Sequence, residues 1–188
     1  MRETSPDSQG QPALTDPFEI GGVRISNRVL LAPLAGIGNW FVRLQAKRYG
    51  AGMAVSEMVS SFGLHYGNDR TLNEMMRIHP DEHPVSIQLF GQEPEAMESA
   101  GRIAAESGAD LIDINMGCPV PKIAKHHAGC SLMREPSHAA SIISAMAKAV
   151  KIPVTVKMRA GWNEHDINAP LLARMAQDAG AAAVAVHG

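Results

Sequence analysis

The sequence predicts an α/β fold, a (β/α)8-type barrel of which about the first six strands are present. Three observations predict it. Apolar runs of strand length alternate with helical periodicity about six times, which specifies a parallel sheet with right-handed crossovers. Polar or reactive residues stand at the C-terminal ends of those runs: Ser56 and Glu57, Gln88, Asn115 and Cys118, Lys157 and Arg159, and His187. Barrels collect their chemistry at that end, from several strands at once. The rival architecture, an open doubly wound sheet, usually carries a G-x-G-x-x-G loop after its first strand, and Ala35-Gly36-Ile37-Gly38 lacks that spacing.

The elements follow in order. Residues 1–16 are polar, contain Pro6 and Pro12, and have no apolar run of the signal-peptide kind, so they read as a disordered tail. Residues 17–188 form the barrel domain. Phe18–Ile25 reads as a hairpin turning at Gly21-Gly22, placed to plug the bottom of the barrel. Val29–Gly36 is an apolar strand ending in Pro and Gly. Trp40–Tyr49 has helical spacing and stops at Gly50. Ala51–Met58 is the next strand. Residues 59–83 are irregular, with a short helix around Leu72–Met76. Pro84–Phe90 is a strand, and Pro94–Ser107 a helix with proline in its tolerated first turn. Ala109–Met116 is a strand. Pro136–Val150 is an amphipathic helix with Ile142, Ile143, Met146 and Val150 on one face. Pro153–Arg159 is a strand rich in β-branched residues. Asn168–Ala179 is a helix, and Ala181–His187 begins a sixth strand.

A full barrel takes about 250 residues, and this chain has 188. The sequence therefore reads as C-terminally truncated. Its two open edges would favour self-association. Hydrophobic residues make up 45% and aromatics only 4%, so the core is built from small and flexible side chains. A net charge of −2 gives no global basic field of the nucleic-acid-binding kind, though a local patch remains compatible with it. No run reaches membrane-spanning length. The two cysteines, Cys118 and Cys130, form neither a disulfide framework nor a zinc knuckle, which points to a reducing, cytoplasmic setting.

The stretch Asp110–Lys122 holds the strongest chemical signal. A strand rich in Leu and Ile stops at Gly117-Cys118-Pro119, where Pro119 pushes Cys118 away from helical geometry. Cys118 thus stands at a strand mouth, either as a small buried hydrophobe or as a thiol able to exchange a proton. Gln88 and Lys157 are costly in strands unless they are paired or reach an exposed tip. Converging on one barrel mouth, they suit an electron-poor ring with carbonyl and imide groups, and a lysine beside such a ring stabilises negative charge developing on it. Flavin fits. Pro33 to Gly36 could bring backbone close to a flat ring, because Ala and Gly are small. Lys122, Lys125, His126, His127 and Arg134 form a basic stretch that is either a solvated face or a phosphate contact. Adjacent histidines converge poorly on one ion, so no metal is expected.

The segments Ala32–Gly36, Ser56–Met58, Gln88–Gly91, Asp113–Lys122, Gly129 with Leu132-Met133, Val156–Arg159 and Val186–Gly188 resemble the tRNA-dihydrouridine synthases, and most closely their B-type bacterial branch. The resemblance runs from about Phe18 to the last residue, and Asn115-x-Gly-Cys-Pro119 is its most specific element. It implies an enzyme that reduces the C5–C6 bond of uridine in tRNA with FMN, itself reduced by NADPH or NADH. It implies Cys118 as general acid. It implies Pro33, Leu34, Ala35, Gln88, Lys157 and His187 as flavin contacts, and Asn115, Lys122 and Arg159 at the substrate. Gly38-Asn39 stands where the family usually has Thr-Asp, and the family's last two barrel strands and helical tRNA-docking domain are not found. Two alternatives remain: another FMN barrel of the dihydroorotate or enoate reductase type, and an inactive fragment.

Overall fold

The computed structural model describes residues 12–68, 71–121 and 127–188. Strands β1 (Phe18–Ile20) and β2 (Val23–Ile25) form an antiparallel hairpin. A six-stranded parallel sheet follows, each strand beside the next in sequence: β3 (Leu30–Leu31), β4 (Met53–Ser60), β5 (Val85–Phe90), β6 (Leu111–Met116), β7 (Val154–Arg159) and β8 (Ala183–His187). Between them run α1 (Trp40–Arg48), α2 (Ser61–His65), α3 (Pro94–Glu106), α4 (Pro136–Ala149) and α5 (Ala169–Asp178). This sequential order is that of a (β/α)8 barrel, here a curled sheet of six strands. The curl brings the loop after β3 and the end of β8 to the walls of one cleft.

Alternation along the strands divides the molecule into two layers. Ile87 and Leu89, Ile112 and Ile114, and Val154, Val156 and Met158 face outward and are fully or almost fully buried under the helices. Met97, Ala100 and Ala104 of α3, Ile142, Ile143 and Met146 of α4, and Leu172 and Ala176 of α5 cover them. Burying a side chain of the Leu or Ile class stabilises by about 1.5–3 kcal/mol, so this outer layer holds the fold. The opposite, concave face of β5, β6 and β7 carries Gln88, Asp113, Asn115, Thr155 and Lys157 instead.

The hairpin closes the lower end. Ile20 and Ile25 pack on Met53 and Leu111, the first residues of β4 and β6, with Val55 and Ala183 beside them. Gly21, at φ +56°, sits so close to Pro153 that a Cβ there would come within 2.7 Å of the proline ring. The expected plug is therefore a packed hydrophobic floor.

Three boundaries differ from expectation. The first barrel strand is only Leu30–Leu31, because Pro33 and Gly36 turn the chain and the Leu34 carbonyl accepts the Ile37 and Gly38 N–H groups. Ser61–His65, expected to be irregular, is a short helix whose Gly63 N–H is capped by Ser60 Oγ. Within the expected tail, residues 13–16 form a turn: Ala13 N–H donates to Asp16, and Leu14 accepts from Arg28 N–H at 2.8 Å.

Candidate active site

The cleft lies at the C-terminal ends of the strands. It has a volume of about 200 Å³ and is lined by Pro33, Ala35, Met58, Gln88, Asn115, Gly117, Cys118, Pro119, Lys157, Arg159 and His187. Each strand delivers its residues for a local reason.

β4 carries a bulge: its pairing with β5 advances from Val55 to Met58 while β5 moves only from Ser86 to Gln88. The extra residue re-aims the strand end. Ser56, fully buried, accepts from the Gln88 N–H at 2.9 Å and donates to the Glu57 carbonyl at 2.7 Å. Glu57 turns its carboxylate to the Gly36 N–H at 2.9 Å, and its own N–H donates to the Gly38 carbonyl. The Pro33–Gly38 loop is thereby tied to β4. A Cβ on Gly38 would stand 2.9 Å from the Leu34 carbonyl oxygen, so this close approach requires glycine.

Beneath the loop, Arg43 and Glu82 form an ion pair at 2.7 Å, both almost completely buried. Arg43 Nη1 also donates to the Gly38 carbonyl. The sequence reading missed this pair. An Arg and a Glu 39 positions apart carry no local signal of their pairing.

On β5 and β6 the polar side chains interlock. Gln88, fully buried, donates from Nε2 to Asp113 Oδ2 at 2.6 Å and accepts at Oε1 from Asn115 Nδ2 at 2.8 Å. Asn115 Oδ1 accepts the backbone N–H groups of Gly117 and Cys118 at 3.2 and 3.0 Å, an Asx-type turn that sets the start of the cysteine loop. Thr155 of β7 donates to Asp113 Oδ1 at 2.6 Å. Burial pushes the Asp113 carboxyl up from its ordinary range, while the Thr155 and Gln88 donors and the Lys157 charge oppose this. Asp113, buried behind the cleft lining and bonded to Gln88, was also missed. The signal was present: an aspartate two positions before Asn115 in an apolar strand shares its face.

Lys157 lies beside Asn115 in register, partly buried, and makes no hydrogen bond among the described residues. His187 is beside Arg159 at the end of β8 and is exposed. Cys118 is half-buried, and its carbonyl accepts from the Cys130 N–H at 3.1 Å. Cys130 is buried, and burial raises its thiol above the ordinary value, with the nearby Arg159 opposing.

The structure therefore brings together Cys118, Pro33, Ala35, Gln88, Lys157, His187, Asn115 and Arg159. Leu34 stands apart from the lining. It sits in the turn with its carbonyl engaged by Ile37 and Gly38, and its side chain is 37% exposed. Lys122, with Lys125 and His126, lies outside the described residues. Of that basic stretch, His127 is exposed with Glu135 at 3.7 Å, and Arg134 stands over the Trp162 ring.

The family model described as dihydrouridine synthase (Dus) matches residues 30–188. The chain belongs to the dihydrouridine synthase family. The tRNA-dihydrouridine synthase B of Xanthomonas campestris is 46% identical over 172 residues, covering 91% of this chain and 51% of the relative. That of Xanthomonas axonopodis has the same identity and coverage. The chain thus spans about half the length of the curated synthases it matches. Among solved structures, an old yellow enzyme homologue from Zymomonas mobilis superposes with a TM-score of 0.67 over 93% of this chain and 73% of that one, at 15% identity. A variant of NCR from the same organism gives 0.67 over 95% and 70%, at 17% identity. These last two share the fold. Among the described residues of this chain, no helix is long and apolar enough to cross a membrane, and no group of His, Cys, Asp and Glu is placed to hold a metal ion.

Proposed function

We propose that the protein acts as a flavin-dependent tRNA-dihydrouridine synthase: it reduces the C5–C6 double bond of a uridine in tRNA, with FMN as cofactor and NADPH or NADH as reductant. The observation that carries this reading is the position of Cys118, at the edge of a cleft shared with Lys157, Gln88 and Asn115 in a chain of this family.

The residues fit FMN by their donor chemistry. Lys157 has three N–H donors without a partner among the described residues, and Gln88 keeps one amide hydrogen and one oxygen lone pair beyond its described bonds. Such groups match the carbonyls and ring nitrogens of an isoalloxazine. Pro33 and Ala35 offer a small-residue wall, and His187 closes the far side. FMN, when bound, would supply the hydride that uracil C6 receives. The protein's part is then to hold the base and deliver the matching proton. Cys118 donates its S–H proton to C5, so hydride and proton together saturate the double bond. Lys157 stabilises negative charge developing on the ring system. Asn115 and Arg159 hold the base. The uridine must leave the tRNA stack to reach them. Phosphates are met by Lys122, Lys125, His126, His127 and Arg134. Unpaired cysteines suit a cytoplasmic setting.

Cys118→Ala tests the reading. It should lower dihydrouridine formation by about 10²–10⁴-fold, the usual contribution of a general acid, while FMN stays bound through gel filtration. Near-normal activity in that variant would remove Cys118 from the role. Turnover of an enone or dihydroorotate by the native chain, with no effect on tRNA, would assign it to another class of flavin barrel.

A further inference from the structure

The bonds on the concave face form one chain. It runs from Thr155 to Asp113, to Gln88, to Asn115 and ends on the N–H groups of Gly117 and Cys118. Its direction is fixed from the cysteine end. Backbone N–H groups only donate, so Asn115 must turn its oxygen to the loop. Its amino group then faces Gln88 and must meet that residue's oxygen. Gln88 in turn presents its own amino group at the far side, where only an acceptor satisfies it. Asp113 supplies that acceptor. Reversing either amide would set two donors against each other in a buried site, which is costly.

We propose that Asp113 is a positioning residue. It anchors the far end of the chain, holding the Gln88 and Asn115 amides in the orientation the loop N–H groups require, and through them keeps the Cys118 loop in place for proton delivery. The hydrogen-bond argument stands on the geometry alone; its link to catalysis rests on the reaction proposed above. The role needs an acceptor rather than a charge. An asparagine at 113 would offer its oxygen to Gln88 and its amino group to Thr155, whose hydroxyl hydrogen would turn to the Ile112 carbonyl, 3.4 Å away. A leucine of similar size offers no acceptor.

The test compares the native chain with Asp113→Asn and Asp113→Leu, each first checked for a cooperative thermal melt. One readout is hydrogen exchange at the Gly117 and Cys118 amides, measured without flavin or tRNA. The other is kcat and KM for dihydrouridine formation. In Asp113→Leu, exchange at the loop should quicken and kcat should fall, each by about tenfold, as for loss of one oriented hydrogen bond. Asp113→Asn should stay within about threefold of the native chain on every readout. Loop exchange unchanged in Asp113→Leu would overturn the proposal, and so would Asp113→Asn being as impaired as Asp113→Leu. If Asp113→Leu does not fold, Gln88→Met cuts the chain at its next link, and unchanged loop exchange in that variant overturns the proposal equally. A native chain with slow loop exchange and no dihydrouridine formation would defeat the functional reading and leave the orientation argument intact.

Discussion

Glu82→Ala should be among the most damaging single changes in this chain that touch no residue of the cleft. Arg43 and Glu82 are 1% and 0% exposed and meet through two contacts, Nε–Oε2 at 2.7 Å and Nη2–Oε1 at 3.1 Å. Arg43 further donates to the carbonyls of Gly38 and Arg77, and Glu82 accepts the His79 N–H at 2.6 Å. Removing the carboxylate strands a guanidinium away from water, a loss of about 3–5 kcal/mol. For a chain of this size each kcal/mol lowers Tm by about 2–4 °C, so the midpoint should drop by about 6–20 °C. Removing both charges in Arg43→Met/Glu82→Leu should cost less than Glu82→Ala alone, because no uncompensated ion remains. Urea denaturation of the native chain, Arg43→Met, Glu82→Leu and the double variant measures the coupling directly. A Glu82→Ala loss below about 1 kcal/mol, the range of an exposed pair, would refute the reasoning. A double variant worse than Glu82→Ala would shift the weight to the backbone hydrogen bonds. The effect should also reach the cleft, since Arg43 holds the Gly38 carbonyl at the base of the Pro33–Ala35 wall.

Two further outcomes follow from the buried groups. Burial raises the Cys130 thiol and leaves it 2% exposed, whereas Cys118 is half-buried, so brief iodoacetamide treatment of the folded chain should label Cys118 first; peptide mapping that finds Cys130 labelled equally fast would contradict the packing. Burial also lifts the folded Asp113 carboxyl above its unfolded value of about 3.9, so between the two values the folded state holds a proton the unfolded state has released. Its ionisation therefore costs stability as pH rises through that window, and the stability of Asp113→Asn minus that of the native chain should grow as pH rises above about 4. A difference that is flat or shrinks over that range, by urea titration at each pH, would contradict the direction.

Much of the fold was legible because strand and helix periods differ and each parallel strand pairs with its sequence neighbour. Pro84–Phe90, Ala109–Met116 and Pro153–Arg159 were placed within two residues of the observed strands. The first strand was overextended, since Val29–Gly36 is apolar throughout and apolarity alone does not register the turn that Leu34 closes. The helix at Ser61–His65 was missed because five residues are too few for a periodic signal. Cleft residues at strand ends could be read from chain position. What could not be read was how they meet. The Asp113–Gln88–Asn115 chain depends on register between three strands, and the Arg43–Glu82 pair on how a helix packs against a distant turn. Neither register nor packing is a local property of sequence.

The two-layer strands carry a practical meaning for anyone changing this protein. On β5, β6 and β7, position parity separates two kinds of consequence. Ile87, Ile112, Ile114 and Val156 answer to melting temperature; Gln88, Asn115 and Lys157, one step along the same strands, line the cleft and answer to the proposed chemistry. Neighbours in sequence point to opposite sides of the sheet and so meet different sets of partners. A random library sorted by odd and even positions within each strand would therefore yield stabilised scaffolds from one half and altered chemistry from the other.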